Sequence, residues 1–275
     1  MTTTETTTAT WLQYTHLEKL YGYLPGLPDA LPSVFGMPTA DYEAIRARFT
    51  AASRDAASEL LTDPAFAALV DALPLTAGQT VLAVGDSMTD DLQSWAEILR
   101  HLLVQRRPEL GVRLVNGGLS AHTTTMVLRR WPATVNGTRP DWVLCGLGGN
   151  DVTRVGPEPS FPQIDPATSV ANLRRLRVLA PAPNWLWLTP VPVDEERVAA
   201  FPAFRFGGSS WRNDDIRALV DAMRDLDEPV VDLVTAFGDP VEEGLQGPDG
   251  LHPTLAGQTT IVRAVVERLA ISRRT

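Results

Sequence analysis

The chain has 275 residues, of which 24 are basic and 33 acidic, for a net charge of −9. That balance disfavours a nucleic-acid backbone or an anionic membrane as partner. A single cysteine, Cys145, excludes an internal disulfide and a thiolate zinc site, and the four histidines show no metal-type spacing.

Residues 1–10 are threonine-rich and without apolar period, so they read as disordered. They lack the basic and apolar regions of a secretory signal, and a cytoplasmic protein is the expectation. Lys19 is the only lysine; with no cluster of arginines forming a stripe, this reads as genome composition. The segment 11–38 mixes aromatics with prolines and glycines and suggests a short helix followed by irregular chain. Over 40–62, Tyr42, Ile45, Phe49, Ala52, Ala56 and Leu60 form one apolar helical stripe. A second short helix near 63–73 would be capped by Asp63 with Pro64 at its first position. Residues 1–78 are thus expected to be an N-terminal helical extension, read as a helical pair packed on a sheet edge in preference to a lid or a dimer surface, and 79–275 the main domain.

From Gln79 short apolar runs alternate with amphipathic stretches. Strands are expected at 79–84, 112–116, 141–147, 184–190 and 229–234, and helices at 90–106, 122–131, 167–179, 211–225 and 254–269. This alternation predicts an α/β fold: a three-layer α/β/α sandwich around a five-stranded parallel sheet, flavodoxin-like in order. Chemistry in such folds lies beyond the carboxyl ends of the strands.

Four loops place polar residues there. Gly85-Asp86-Ser87-Met88-Thr89-Asp90 follows the first strand; Ser87 is a candidate nucleophile, although Asp86 or Ser87 also reads as a helix cap. Asn116-Gly117-Gly118-Leu119-Ser120 offers backbone N–H groups or an ordinary glycine turn. Gly146-Leu147-Gly148-Gly149-Asn150-Asp151 offers an asparagine amide for a developing oxyanion, or a cap. Asp249-Gly250-Leu251-His252-Pro253-Thr254 lets a loop turn a carboxylate onto an imidazole. Gly-x-Ser-x-Gly is absent, as is a phosphate-binding P-loop, which argues against a standard α/β-hydrolase and a nucleoside triphosphatase.

In this order and at these strand ends, the four motifs resemble the SGNH (GDSL-type) hydrolase superfamily over about residues 79–270. Gly85-Asp86-Ser87 matches its first block, Gly118 its second, Gly149-Asn150-Asp151 its third and Asp249-Gly250-Leu251-His252-Pro253 its fifth. One departure stands out: where the family often carries another glycine three positions after the first of its second block, this chain has Ala121. The resemblance implies a serine esterase with Ser87 as nucleophile, His252 as general base and Asp249 as its orienting carboxylate. It implies an oxyanion hole from Ser87, Gly118 and Asn150, with no cofactor or metal. The substrate is expected to be a small-molecule ester, with acyl transfer and carbohydrate O-acetyl ester hydrolysis as alternatives. Substrate contacts are expected from Met88 and from the long connections 152–166 and 191–210, through Phe204, Arg205 and the adjacent Trp211, with plain loop packing as the competing reading. The motifs say nothing of the oligomeric state.

Overall fold

The computed structural model describes residues 3–271. Five helices precede the first strand: α1 (Thr3–Tyr14), α2 (Leu17–Tyr21), α3 (Leu27–Val34), α4 (Thr39–Leu60) and α5 (Pro64–Asp71). The rest runs β1 (Thr80–Gly85), α6 (Ser87–Asp90), α7 (Trp95–Arg106), β2 (Arg113–Asn116), α8 (Thr124–Thr138), β3 (Trp142–Gly146), β4 (Arg154–Val155), α9 (Pro166–Val178), β5 (Asn184–Leu188), α10 (Glu195–Ala200), α11 (Pro202–Gly207), β6 (Ser209–Ser210), α12 (Asn213–Met223), β7 (Val230–Val231), α13 (Leu233–Phe237) and α14 (Leu255–Ile271).

The main sheet is parallel, in the order β2-β1-β3-β5-β7. Its central strands are buried along their whole length because helices cover both faces. One core lies between the sheet and α7 and α14, with Ala83, Leu144, Leu99 and Val265 in it. The other lies under α8, α9 and α12, with Val84, Cys145, Trp131 and Leu219. The expected α/β sandwich and strand order are those observed.

Several boundaries differ, each for a local reason. A helix covers Thr3–Tyr14 where 1–10 read as disordered; Ala9 and Leu12 are buried, and packing overrides the weak composition signal. Met1 and Thr2, also part of that expectation, lie outside the described residues, as do the last four residues of the 79–275 segment. The α4 stripe buries Tyr42, Phe49, Ala56 and Leu60 as expected, and Asp63 caps α5 through the Ala65 N–H. These two helices pack on α7 and α14, outside the sheet, and share their core instead of lying on a strand edge. The helix expected from 90 starts at Trp95: Asp91 turns the chain by accepting from the Gln93 N–H, and Ser94 caps α7. Helix α8 runs on through Pro132 to Thr138 and stops at Arg139, which has positive φ. Strand β7 is cut to two residues because Asp232 caps α13. The connections 152–166 and 191–210 meet in an antiparallel pair, β4 with β6.

Among the described residues no helix is long and apolar enough to cross a membrane.

Candidate active site

The first, second and third motif loops leave the carboxyl ends of β1, β2 and β3, and the fourth precedes α14. The turn after β1 is tight: a Cβ on Gly85 would come within 2.7 Å of the Gly146 carbonyl on the neighbouring strand. Asp86 accepts from the Met88 N–H at 3.1 Å and caps the one-turn α6, which leaves the Ser87 side chain at the sheet end. In the last loop Gly250 has φ of +70°, and a Cβ there would sit 2.7 Å from the Asp194 carbonyl. That turn folds Asp249 back, so that its Oδ1 accepts from the N–H groups of Leu251 and His252 at 2.9 Å each.

The three residues then line up. His252 Nδ1 lies 2.6 Å from Asp249 Oδ2, and His252 Nε2 lies 3.0 Å from Ser87 Oγ. An ionised carboxylate only accepts, so the Nδ1 proton points to Asp249 and Nε2 is left to accept from the serine hydroxyl. Burial pulls the His252 pKa down, but the hydrogen bond and charge of Asp249 outweigh it, and the imidazole ends up raised. Burial likewise raises Asp249, yet the bond and charge of His252 hold it below the usual carboxylate range. Asp86 lacks such a partner, and burial pushes it up to about 6.

The candidate oxyanion donors divide. No hydrogen bond among the described residues occupies the Ser87 N–H. The Asn150 amide spends one proton on the His122 carbonyl at 3.2 Å and keeps the other. Gly118 does not fit the role expected of it: its N–H donates to Asn116 Oδ1 at 3.0 Å, and its Cα packs against Thr89 and Asp90. The N–H in this loop with no acceptor among the described residues is that of Ala121, whose φ is +62°.

Beside Ser87 and His252 lies a cavity of about 20 Å³, with Met88, Pro190, Val191, Val193, Trp211 and Ile216 in its wall. Met88 and Trp211, both expected as substrate contacts, thus line the cavity beside Ser87. Trp211 also donates to the Gly149 carbonyl at 3.0 Å, tying the wall to the Asn150 loop. Phe204 does not reach the cavity; its ring backs Trp211 at 5.0 Å. Arg205 is exposed on α11, which buries none of its residues, and does not line the cavity.

A model of the GDSL-like lipase/acylhydrolase family matches residues 83–259. The chain belongs to this family. The SGNH resemblance read from the motifs therefore holds. An acetylxylan esterase of Geobacillus stearothermophilus is 33% identical over 96 residues, 30% of this chain and 44% of that protein. Esterase TesA of Pseudomonas aeruginosa is 36% identical over 92 residues, 32% of this chain and 45% of that protein. The matched stretch thus spans less than half of these relatives. Among solved structures, the acetylxylan esterase Axe2 of G. stearothermophilus superposes with a TM-score of 0.53 at 23% identity, covering 71% of this chain and 95% of that one. An α/β hydrolase, LAE5, from the metagenome of Lake Arreo gives the same TM-score and identity over 71% and 96%. Both show the fold.

Around this GDSL-type site sit residues that hold its loops in place. Asp151, buried, accepts from the Thr124 N–H and from the hydroxyls of Thr124 and Ser169 at 2.6–2.8 Å, fixing the Asn150 loop to α8 and α9. Asn116 donates to the Thr89 carbonyl and to Glu97 while accepting from Gly118 and Lys19. Cys145 is buried in β3, and burial raises its thiol far above the reactive range. Tyr14, from the N-terminal segment, lies against His252 with ring centroids 4.9 Å apart. The same segment carries the sole lysine, Lys19, read from the sequence as a trait of composition; it reaches Asp90 at 2.6 Å.

Proposed function

We propose that this protein is a serine esterase that hydrolyses carboxylic esters of short acids, above all acetyl esters. The observation that carries the reading is the unbroken line from Asp249 through His252 to Ser87 Oγ, at 2.6 and 3.0 Å. Ser87 Oγ attacks the acyl carbonyl as its proton passes to His252 Nε2. His252 then gives that proton to the leaving alcohol. Water repeats the sequence on the acyl-enzyme and releases the acid.

The tetrahedral oxyanion is met by the Ser87 N–H, the free proton of the Asn150 amide and the Ala121 N–H, the last replacing Gly118. Each such donor is typically worth ~3 kcal/mol of transition-state stabilisation, or ~100-fold in rate. Family membership supports ester hydrolysis. The cavity supports a short acyl group: about 20 Å³ has room for one group of roughly water or methyl size. Trp211 is backed by Phe204, which is in turn backed by Phe201, and this stack stiffens the wall. The likeness to an acetylxylan esterase favours a sugar acetate as the alcohol side, the second reading.

The test is hydrolysis of p-nitrophenyl esters from acetate to octanoate by the parent, Ser87→Ala and Trp211→Ala. The expected result is a preference for acetate, its loss in Ser87→Ala, and a shift to longer chains in Trp211→Ala. Equal activity of parent and Ser87→Ala would remove the reading. Added alcohols that divert the acyl group from water would move it to acyl transfer.

A further inference from the structure

The strand-end loops hold His252 by its two nitrogens, but the face of its ring is covered from elsewhere. Tyr14, the last residue of α1, packs there at 4.9 Å with the ring planes tilted by 39°. The chain on both sides of Tyr14 is fastened to two catalytic loops. The Gln13 carbonyl accepts from the Leu92 N–H at 3.1 Å and its amide donates to Asp91 at 2.9 Å. The Tyr14 carbonyl accepts from Ser120 Oγ at 2.6 Å. His16 Nδ1 and Lys19 Nζ converge on Asp90 Oδ1 at 2.7 and 2.6 Å, and Lys19 also donates to the Gly118 carbonyl at 3.1 Å. His16 and Asp90 are buried. Residues 13–19 are thus a strap across the Ser87 loop and the 116–121 loop, with an aromatic ring at its centre.

We propose that Tyr14 is a positioning residue for the catalytic imidazole and that its main effect is on deacylation. The inference rests on the serine-esterase reading. In the free enzyme His252 is held by Asp249 at Nδ1 and by Ser87 at Nε2. Once Ser87 Oγ carries the acyl group, it has no proton to donate and the second anchor is gone. His252 must then take a proton from water at Nε2 while that water's oxygen bonds the acyl carbon. The Oγ–acyl bond breaks, Oγ takes the proton back and the carboxylic acid leaves. At that stage Asp249 alone restrains the ring by a hydrogen bond, and only packing on its face resists a pivot about Nδ1. Tyr14 supplies that packing. Burial, with the nearby charges of Asp91 and Asp249 and a hydrogen bond to Asp91, raises the phenol well above its ordinary value, so it stays protonated; the contact with the imidazole is made by the ring.

The experiment is pre-steady-state hydrolysis of p-nitrophenyl acetate by the parent, Tyr14→Phe, Tyr14→Leu, Tyr14→Ala and Ser87→Ala, with Tm measured for each. In Tyr14→Ala, kcat is expected to fall about tenfold and KM with it, while kcat/KM changes little and a burst of p-nitrophenol appears. Tyr14→Phe is expected to match the parent. If Tyr14→Ala does not fold, Tyr14→Leu, which covers less of the imidazole face, carries the same expectation in weaker form. Unchanged kcat and KM in the folded variants, or a loss in kcat/KM with no burst, would overturn the inference. Parent-like activity in Ser87→Ala would overturn the esterase reading instead.

Discussion

Two aspartate–histidine pairs lie within this one site region, and they differ in what stands beyond the ring. Asp249 meets His252 Nδ1 at 2.6 Å, and Asp90 meets His16 Nδ1 at 2.7 Å. Beyond His252 the Nε2 faces a serine hydroxyl at 3.0 Å. Beyond His16 the Nε2 is buried with no partner among the described residues, and Asp90 is also paired with Lys19. The first pair is part-exposed and can exchange a proton with a reacting group; the second is sealed and can only hold the chain together. A carboxylate on an imidazole is therefore not a catalytic signature by itself; the group at the other nitrogen decides.

The largest expected effects separate the two pairs. Asp249→Asn should cut kcat about 10⁴-fold, since the amide favours the wrong imidazole tautomer, while the fold survives. Because Asp249 raises His252, the acid limb of kcat/KM should lie above the ordinary histidine value of 6.5 in the parent. A neutral imidazole is the active form, so rate is lost as pH falls through that raised value, and Asp249→Asn should move the limb downward. Asp90→Asn should do the opposite: a stability loss of about 3–5 kcal/mol from breaking a buried pair, read as a Tm drop of about 10 °C. Chemical denaturation and steady-state kinetics on both variants check the contrast; a 10⁴-fold rate loss in Asp90→Asn with unchanged Tm would erase it.

A third carboxylate sharpens the comparison by having no histidine partner. His16 and Lys19 hold Asp90 below its ordinary value against the push of burial, whereas burial takes Asp86 up to about 6. The folded state then binds the Asp86 proton more tightly than the unfolded chain, whose pKa is near 3.9. Its contribution to stability is complete below about pH 4 and falls as pH rises to about 6. Asp86→Asn keeps an oxygen for the Met88 N–H and removes the buried charge. The variant should be up to ~3 kcal/mol more stable than the parent at pH 8 and no more stable at pH 4, by urea denaturation at both. A constant difference across that range would show that Asp86 is not the titrating group.

The two pairs also mark what a sequence discloses. Asp249 and His252 are three residues apart in one glycine turn, so local chain geometry makes the contact and the motif is readable. Ser87 and Asn150 are readable for a related reason: each follows a strand whose period is plain, and a parallel sheet brings strand ends together. Asp90 and His16 are 74 positions apart, and nothing local links them. Lys19 accordingly read as a trait of composition. Gly118 failed as an oxyanion donor because its competitor for the N–H is a side chain, Asn116, whose aim is set by Thr89 and Glu97 on other elements. Phe204 and Arg205 failed because the helix carrying them lies within what read as open loop. What depends on chain-neighbour geometry or on strand order was legible; what depends on where one loop's side chain meets another was not.

The smallest effect concerns Ala121, which joins the two pairs. Its neighbour Ser120 gives its N–H to Asp90 at 2.9 Å and its hydroxyl to the Tyr14 carbonyl at 2.6 Å, on the sealed side. Its own N–H has no acceptor among the described residues and is the donor assigned above to the oxyanion. To turn one residue toward Asp90 and the next toward Ser87, the chain adopts φ of +62° at a residue with a Cβ. That conformation costs about 1 kcal/mol relative to glycine. Ala121→Gly should therefore gain at most about 0.5 kcal/mol in denaturant unfolding, because the relief of strain is partly offset by the added entropy of the unfolded chain, about 0.4–1 kcal/mol. If the sealed pair alone fixes the loop, kcat should be unchanged. If the Cβ helps hold the N–H in line, kcat should fall while stability rises. A variant that is both less stable and equally active would show that the left-handed turn is not where the strain lies.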